Sequence, residues 1–176
     1  MAKRPNQRLK LLYLAKIMLR LTDDEHGLQV EQIINELAKY DIAAERKSIY
    51  SDLEALQLFG IDIEKKHIGR YVYYCVGNRN LELAELKLLV DAVQSSKFIT
   101  EKKSSQLIEK LERYVSRYEA KQLNQQVYVH GRIKTMNESI YYNVDAIHTA
   151  IAENKKIIRM VESLFVKVIC EKNLHN

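Results

Sequence analysis

Apolar and polar positions alternate along this chain with two different periods. From Asn6, read as an N-cap, to Leu21, the residues Leu9, Leu12, Tyr13, Ile17 and Leu19 recur at helical spacing, and Leu11, Leu14 and Met18 carry apolar surface to other faces. A helix of that kind must be covered on more than one side, by its own domain or by a second copy. Residues 22–27 read as a solvated loop. A second helix is predicted from about Gln29 to Tyr40, with Val30, Ile33, Ile34 and Leu37 in one stripe. Gln29 stands where a Ser or Thr cap is expected, which weakens the start of that helix by up to ~1 kcal/mol. Asp41-Ile42-Ala43 makes a short break, and a third helix over 44–59 turns Ile49, Leu53 and Leu56 inward and stops at Gly60. Two such helices separated by a short break form a helix-turn-helix pattern.

After Gly60 the period falls to two. Ile61 and Ile63 alternate with Asp62 and Glu64, residues 65–70 form a polar, basic tip, and Tyr71-Val72-Tyr73-Tyr74-Cys75-Val76 is β-branched and aromatic. The hairpin cannot stand alone in water and must lean on the helices before it. Beyond residue 78 the pattern is helical again. Leu83, Leu86, Val90 and Val93 make one stripe, Ile108, Leu111, Val115 and Tyr118 a second, and Ile140, Val144, Ile147 and Ile151 a third, from about Asn137. The expected fold is mainly α, of the α+β kind. It comprises a winged helix-turn-helix over 1–78 with a two-stranded wing, a helical connector over 79–156 suited to dimerisation, and a tail over 157–176.

Length and charge sharpen this picture. With 176 residues, 47% of them hydrophobic and 29% charged, the chain has the balance of a globular protein rather than a disordered one. No apolar run is long enough to span a membrane, no leader is evident, and a cytoplasmic protein is expected. Cys75 and Cys170 stand far apart without a CxxC, which argues against a disulfide framework or a cysteine-rich zinc site. The net charge of +5 is uneven: Lys3, Arg4, Arg8, Lys10, Lys16 and Arg20 precede the first acid. Concentrated positive charge favours a polyanionic partner over a diffuse surplus, because local potential sets the attraction for phosphate.

The third helix is the candidate reading element. With Ile49, Leu53 and Leu56 inward, Lys47, Tyr50, Ser51 and Glu54 fall on the opposite arc, with Arg46 on its flank and Ser48 beside it. Lys and Arg donate to guanine O6 and N7, and Ser and Tyr hydroxyls reach phosphate or base edges. Lys65, Lys66 and Arg70 would place the hairpin tip on the DNA backbone.

Segment 6–76, above all Arg46-Lys47-Ser48-Ile49-Tyr50-Ser51-Asp52-Leu53-Glu54-Ala55-Leu56, resembles the winged helix-turn-helix of bacterial DeoR-like, WYL-domain transcriptional regulators. The stretch Ala84-Glu85-Leu86-Lys87-Leu88-Leu89-Val90-Asp91-Ala92-Val93-Gln94-Ser95-Ser96-Lys97-Phe98-Ile99 is similar to the connector of one branch of that family. The resemblance implies a dimeric, one-component transcription factor that binds double-stranded DNA. In that family a ligand-sensing domain named for a Trp-Tyr-Leu motif follows the connector. This chain has no tryptophan, and after Lys156 the match ends. A truncated member is the expectation, with ligand-responsive regulation in doubt and no effector assigned.

Catalysis has little footing. His26, His67, His130, His148 and His175 are scattered without HExxH or Cys spacing, and no phosphate-cradling glycine motif occurs. His148, next to an apolar stripe, is expected to be a partly buried structural residue. No catalytic residue, metal or cofactor is assigned. The competing reading is a protein-interaction module whose winged helix touches no DNA. A steep salt dependence of binding separates the two.

Overall fold

The computed structural model describes residues 6–127, 134, 136, 139–153, 155–162 and 165–171. Its elements are mainly helical. Contacts divide the chain into two compact units. The first runs to Val90 and resumes at Glu109 to take in the stretch up to residue 127; the second holds Asp91–Ile108 and the described chain beyond residue 133.

In the first unit α1 (Lys10–Leu21), α2 (Val30–Ala38) and α3 (Arg46–Phe59) pack on one another, and the hairpin β1 (Ile63–Ile68) and β2 (Tyr71–Val76) packs against α1 and α3. One core joins them: Leu14, Ile17 and Met18 from α1, Val30, Ile33 and Leu37 from α2, Ile49, Leu53 and Leu56 from α3, and Ile63, Tyr74 and Val76 from the hairpin. Each such side chain contributes about 1.5–3 kcal/mol on burial. The inward faces of α2 and α3 are those expected. That of α1 is not, because Leu9, Leu11, Leu12 and Leu19 are exposed while Leu14 and Met18 are fully buried. On a helix apolar nearly all round, the position of its neighbours decides which side is covered.

The break before α3 runs over 39–45, longer than the expected three residues, because α3 begins two residues later than expected and α2 ends two residues earlier, in a defined stop. Asp41 adopts φ 59°, its N–H donates to Ala38 C=O at 3.0 Å, and Ile42 N–H donates to Leu37 C=O at 3.2 Å. These are the two bonds of a Schellman motif with Asp41 in the left-handed position usually held by glycine. Ile42, 1% exposed, then anchors the turn in the core. Gly60 ends α3 the same way at φ 107°, with Gly60 N–H to Gln57 C=O and Ile61 N–H to Leu56 C=O, both at 3.0 Å. At the start of α2 the Gln32 side chain accepts from Gln29 N–H at 2.7 Å, so Gln29 takes part in a cap after all.

The hairpin pairs Ile63 with Val76 through Ile68 with Tyr71, so Lys65 and Lys66 lie within a strand rather than in the tip. Only Gly69 and Arg70 form the turn. Gly69 at φ 60° followed by a residue of negative φ is the arrangement that suits the right-handed twist of a two-residue hairpin.

Beyond the hairpin lie α4 (Leu83–Ser95), α5 (Glu101–Leu111) and α6 (Arg117–Val127). Leu86 and Val90 of α4 are buried as expected. The stripe Ile108, Leu111, Val115, Tyr118 does not belong to one helix, since Val115 is extended (φ −118°, ψ 170°) between α5 and α6. Ser116 restarts the helix. Its Oγ accepts from Tyr118 and Glu119 N–H at 3.2 and 3.1 Å, and Glu119 Oε2 accepts from Ser116 N–H at 2.9 Å. This reciprocal box returns α6 to the first unit, where Val115, Ala120 and Leu123 are buried.

In the second unit α7 (Ser139–Ala152) packs with β3 (Lys156–Glu162) and β4 (Phe165–Glu171), an antiparallel pair. The stretch set apart as a tail thus contains a hairpin. On α7 it is Ala150 that is buried, while Val144, Ile151 and His148 are exposed, so neither the expected stripe nor a partly buried His148 is found.

Candidate nucleic-acid interface

The outer arc of α3 is open to solvent. Arg46, Lys47, Tyr50, Ser51 and Glu54 are exposed, and Ile49, Leu53 and Leu56 on the opposite side are buried. At 1.5 Å per residue the arc from Lys47 to Glu54 extends about 10 Å, close to the ~12 Å width of a major groove.

Ser48 departs from the expectation. It is half-buried, and its Oγ accepts from Lys10 Nζ of α1, which also pairs with Asp52 Oδ2 at 2.5 Å. Ser48 and Asp52 stand one turn apart, so both face α1 and both are held by one ammonium. Ser48 therefore fixes the setting of α3 against α1 rather than presenting itself outward. Lys10, noted in the sequence only for its charge, and Asp52 are the other two parts of this clamp. At the start of α3, Arg46 Nη2 lies 2.6 Å from Glu31 Oε1 of α2, both more than half exposed, so part of its charge is already answered.

Strand alternation separates the hairpin lysines. Lys65 lies opposite Tyr74 in the β1–β2 register, with Nζ 5.8 Å from the centre of the Tyr74 ring. The Tyr74 ring is 6.3 Å from that of Tyr50 on α3, tilted by 48°. Burial, and then the neighbouring Tyr50, push the Tyr74 hydroxyl above its ordinary pKa. Tyr50 and Lys65 thus meet through Tyr74, unnoticed in the sequence for this role, as the link between helix and hairpin, and Lys47 stands three residues before Tyr50 on the same exposed arc of α3.

Lys66 faces the other way. It donates to Asp24 C=O at 2.6 Å and lies 3.8 Å from the Asp24 carboxylate and 3.5 Å from that of Glu64. Desolvation opposes its charge, but Cys75, Asp24 and Glu64 outweigh it and hold the ammonium above its usual range. The sequence expectation that Lys65 and Lys66 act together is corrected, because residues one apart in a strand point to opposite faces. Arg70 is exposed at the tip, its guanidinium 5.2 Å over the Tyr71 ring with Nη2 donating to the Tyr71 hydroxyl at 3.0 Å.

No carboxylate among the described residues pairs with Lys47 or Lys65. Among those residues no group of three His, Cys, Asp or Glu is placed to hold a metal ion, and no helix is long and apolar enough to cross a membrane. No family model, curated protein or solved structure matches the chain.

Proposed function

We propose that the chain binds double-stranded DNA as a transcriptional regulator, through a winged helix-turn-helix of the DeoR-like, WYL-domain kind. In this reading α3 enters the major groove and the hairpin is the wing. The observation that carries it is the positive and aromatic face of Lys47, Tyr50 and Ser51 on a helix whose opposite residues Ile49, Leu53 and Leu56 are buried, with Lys65 of the hairpin beside it and no carboxylate among the described residues paired with either lysine. Lys47 donates to a base edge near the start of the helix, Tyr50 and Ser51 reach a base edge or phosphate, and Lys65 and Arg70 meet the backbone beside the groove. One such unit covers about one half-site, so a second copy of the chain on a two-part operator completes the reading.

Selection from random duplexes followed by fluorescence anisotropy tests the proposal. Lys47→Ala should relax base preference at one position and cost about 1–3 kcal/mol, whereas Lys65→Ala should weaken all sequences alike. No enriched motif, together with a Lys47→Ala/Lys65→Ala double variant that binds like the parent, would refute it.

A further inference from the structure

The loop between α1 and α2 is gripped from two sides. On the hairpin side, Val76 N–H donates to Thr22 Oγ1 at 3.0 Å, and Leu28 and Tyr74 exchange backbone hydrogen bonds at 2.9 and 2.8 Å. Gly27 lies so close to β2 that a Cβ there would meet Tyr73 Cβ at 2.8 Å. On the α6 side, Ser116 Oγ donates to Asp23 Oδ2 at 2.6 Å, and the Tyr118 ring lies flat on the His26 imidazole, centres 3.7 Å apart and planes 4° apart. Asp23 joins the two sides: its Oδ1 is 2.7 Å from His26 Nδ1 and accepts from the Glu25 and His26 N–H groups at 3.0 and 2.8 Å.

We infer that His26 is a positioning residue for the hairpin, clamping the loop between α6 and β2 most firmly when its imidazole is protonated. Tyr74, whose backbone this loop holds, is the residue that links Lys65 to Tyr50. Hairpin order, and with it the surface proposed above to face DNA, therefore varies with pH. Only that last step rests on the DNA-binding reading.

The charges around the ring set the sign. Asp23, 6% exposed, is the carboxylate in direct contact; burial raises its pKa, but hydrogen bonds from Ser116, His26 and the loop backbone outweigh this and leave it below the ordinary value. Asp24 and Glu25 in the same loop also favour a cation, with Asp24 shared with Lys66 of β1. Against it stand Arg117, whose guanidinium is 4.7 Å over the Tyr118 ring, and Arg79, which donates to the Leu19 and Thr22 carbonyls and lies 3.8 Å from Glu119. Arg20 of α1 is occupied with the Glu112 and Val115 carbonyls. The contact carboxylate decides, so protonation tightens the clamp. A neutral imidazole with its proton on Nδ1 keeps the hydrogen bond to Asp23 and loses the ion pair, an effect of about two- to fivefold for a partly exposed pair.

The test is amide hydrogen exchange of Leu28 and Tyr74 in the full chain between pH 5.5 and 8, corrected for intrinsic rates, alongside NMR titration of His26 and duplex affinity at each pH. Protection should fall about two- to fivefold as His26 loses its proton. The H26Q variant, which can still donate to Asp23 without titrating, should keep its protection and show no pH step. A flat wild-type profile across the imidazole titration, or an equal step in H26Q, overturns the inference. If H26Q fails to fold, the wild-type profile alone decides. If no duplex is bound at any pH, the DNA reading fails while the amides still judge His26. Duplex affinity that stays flat while the amides shift overturns the step from hairpin to DNA.

Discussion

The sharpest test of the interface contrasts two adjacent lysines. Lys65 stands over Tyr74 beside α3, and Lys66 is turned to Asp24 and Glu64. Of the cations at the proposed surface, Lys47, Lys65 and Arg70 lack a carboxylate partner among the described residues, while Arg46 shares its charge with Glu31. Lys65 and Arg70, the two assigned to phosphates, give a slope of log affinity against log salt of about −1.8 per half-site, a loss of about 12-fold between 50 and 200 mM salt. Lys65→Ala should reduce the slope to about −0.9 and the loss to about 3.5-fold. Lys66→Ala should leave the slope near that of the parent, since its charge is already answered within the fold. Anisotropy of a labelled duplex titrated at four or five salt concentrations reads both. A Lys66→Ala slope reduced as much as that of Lys65→Ala would show that the hairpin meets DNA with its other face, and the assignment of the surface would fall.

Three further outcomes follow from the packing and the charges. Lys10→Met removes the group that holds Ser48 and Asp52 and should lower stability by about 1–3 kcal/mol in urea unfolding, with Asp52→Leu in the same chain restoring part of the loss. Ile33→Ala, at a fully buried site, should cost about 2–5 kcal/mol, whereas Leu12→Ala, 68% exposed, should stay within about 0.5 kcal/mol. Comparable losses at the two positions would mean that α1 is covered on both sides. Because the pKa of Asp23 is lowered in the folded state, its contribution is fully present above the unfolded carboxylate value of about 4 and disappears as pH falls toward the folded value. Thermal unfolding between pH 6 and 3 should therefore decline more gently in Asp23→Asn than in the parent, and parallel profiles would contradict the assignment.

What could be read in advance divides along physical lines. The inward faces of α2 and α3 and the stop at Gly60 were legible because few apolar residues compete for the buried stripe and glycine marks the left-handed turn. The face of α1 was not, since apolar side chains cover several sides and the neighbours choose among them. Asp41 hid the end of α2 by taking a glycine conformation without being glycine. The interruption at Val115 had a readable sign in Ser116-Arg117-Tyr118-Glu119, a capping-box spacing masked by the 3-4-3 stripe that runs through it. Strand alternation alone separates Lys65 from Lys66. The engagement of Ser48 by Lys10 depends on tertiary contact across 38 residues and has no local signature.

The return of α6 to the first unit bears on how the protein is made. A nascent chain that has left the ribosome only as far as Val90 lacks Ser116 for Asp23, Tyr118 for His26 and the buried Leu123. At ordinary synthesis rates the next forty or so residues take about 2–8 s, an interval in which the earlier helices are out but unsealed. Expression of 1–78 by itself would make that interval permanent, and a soluble, long-lived fragment should instead extend through Val127.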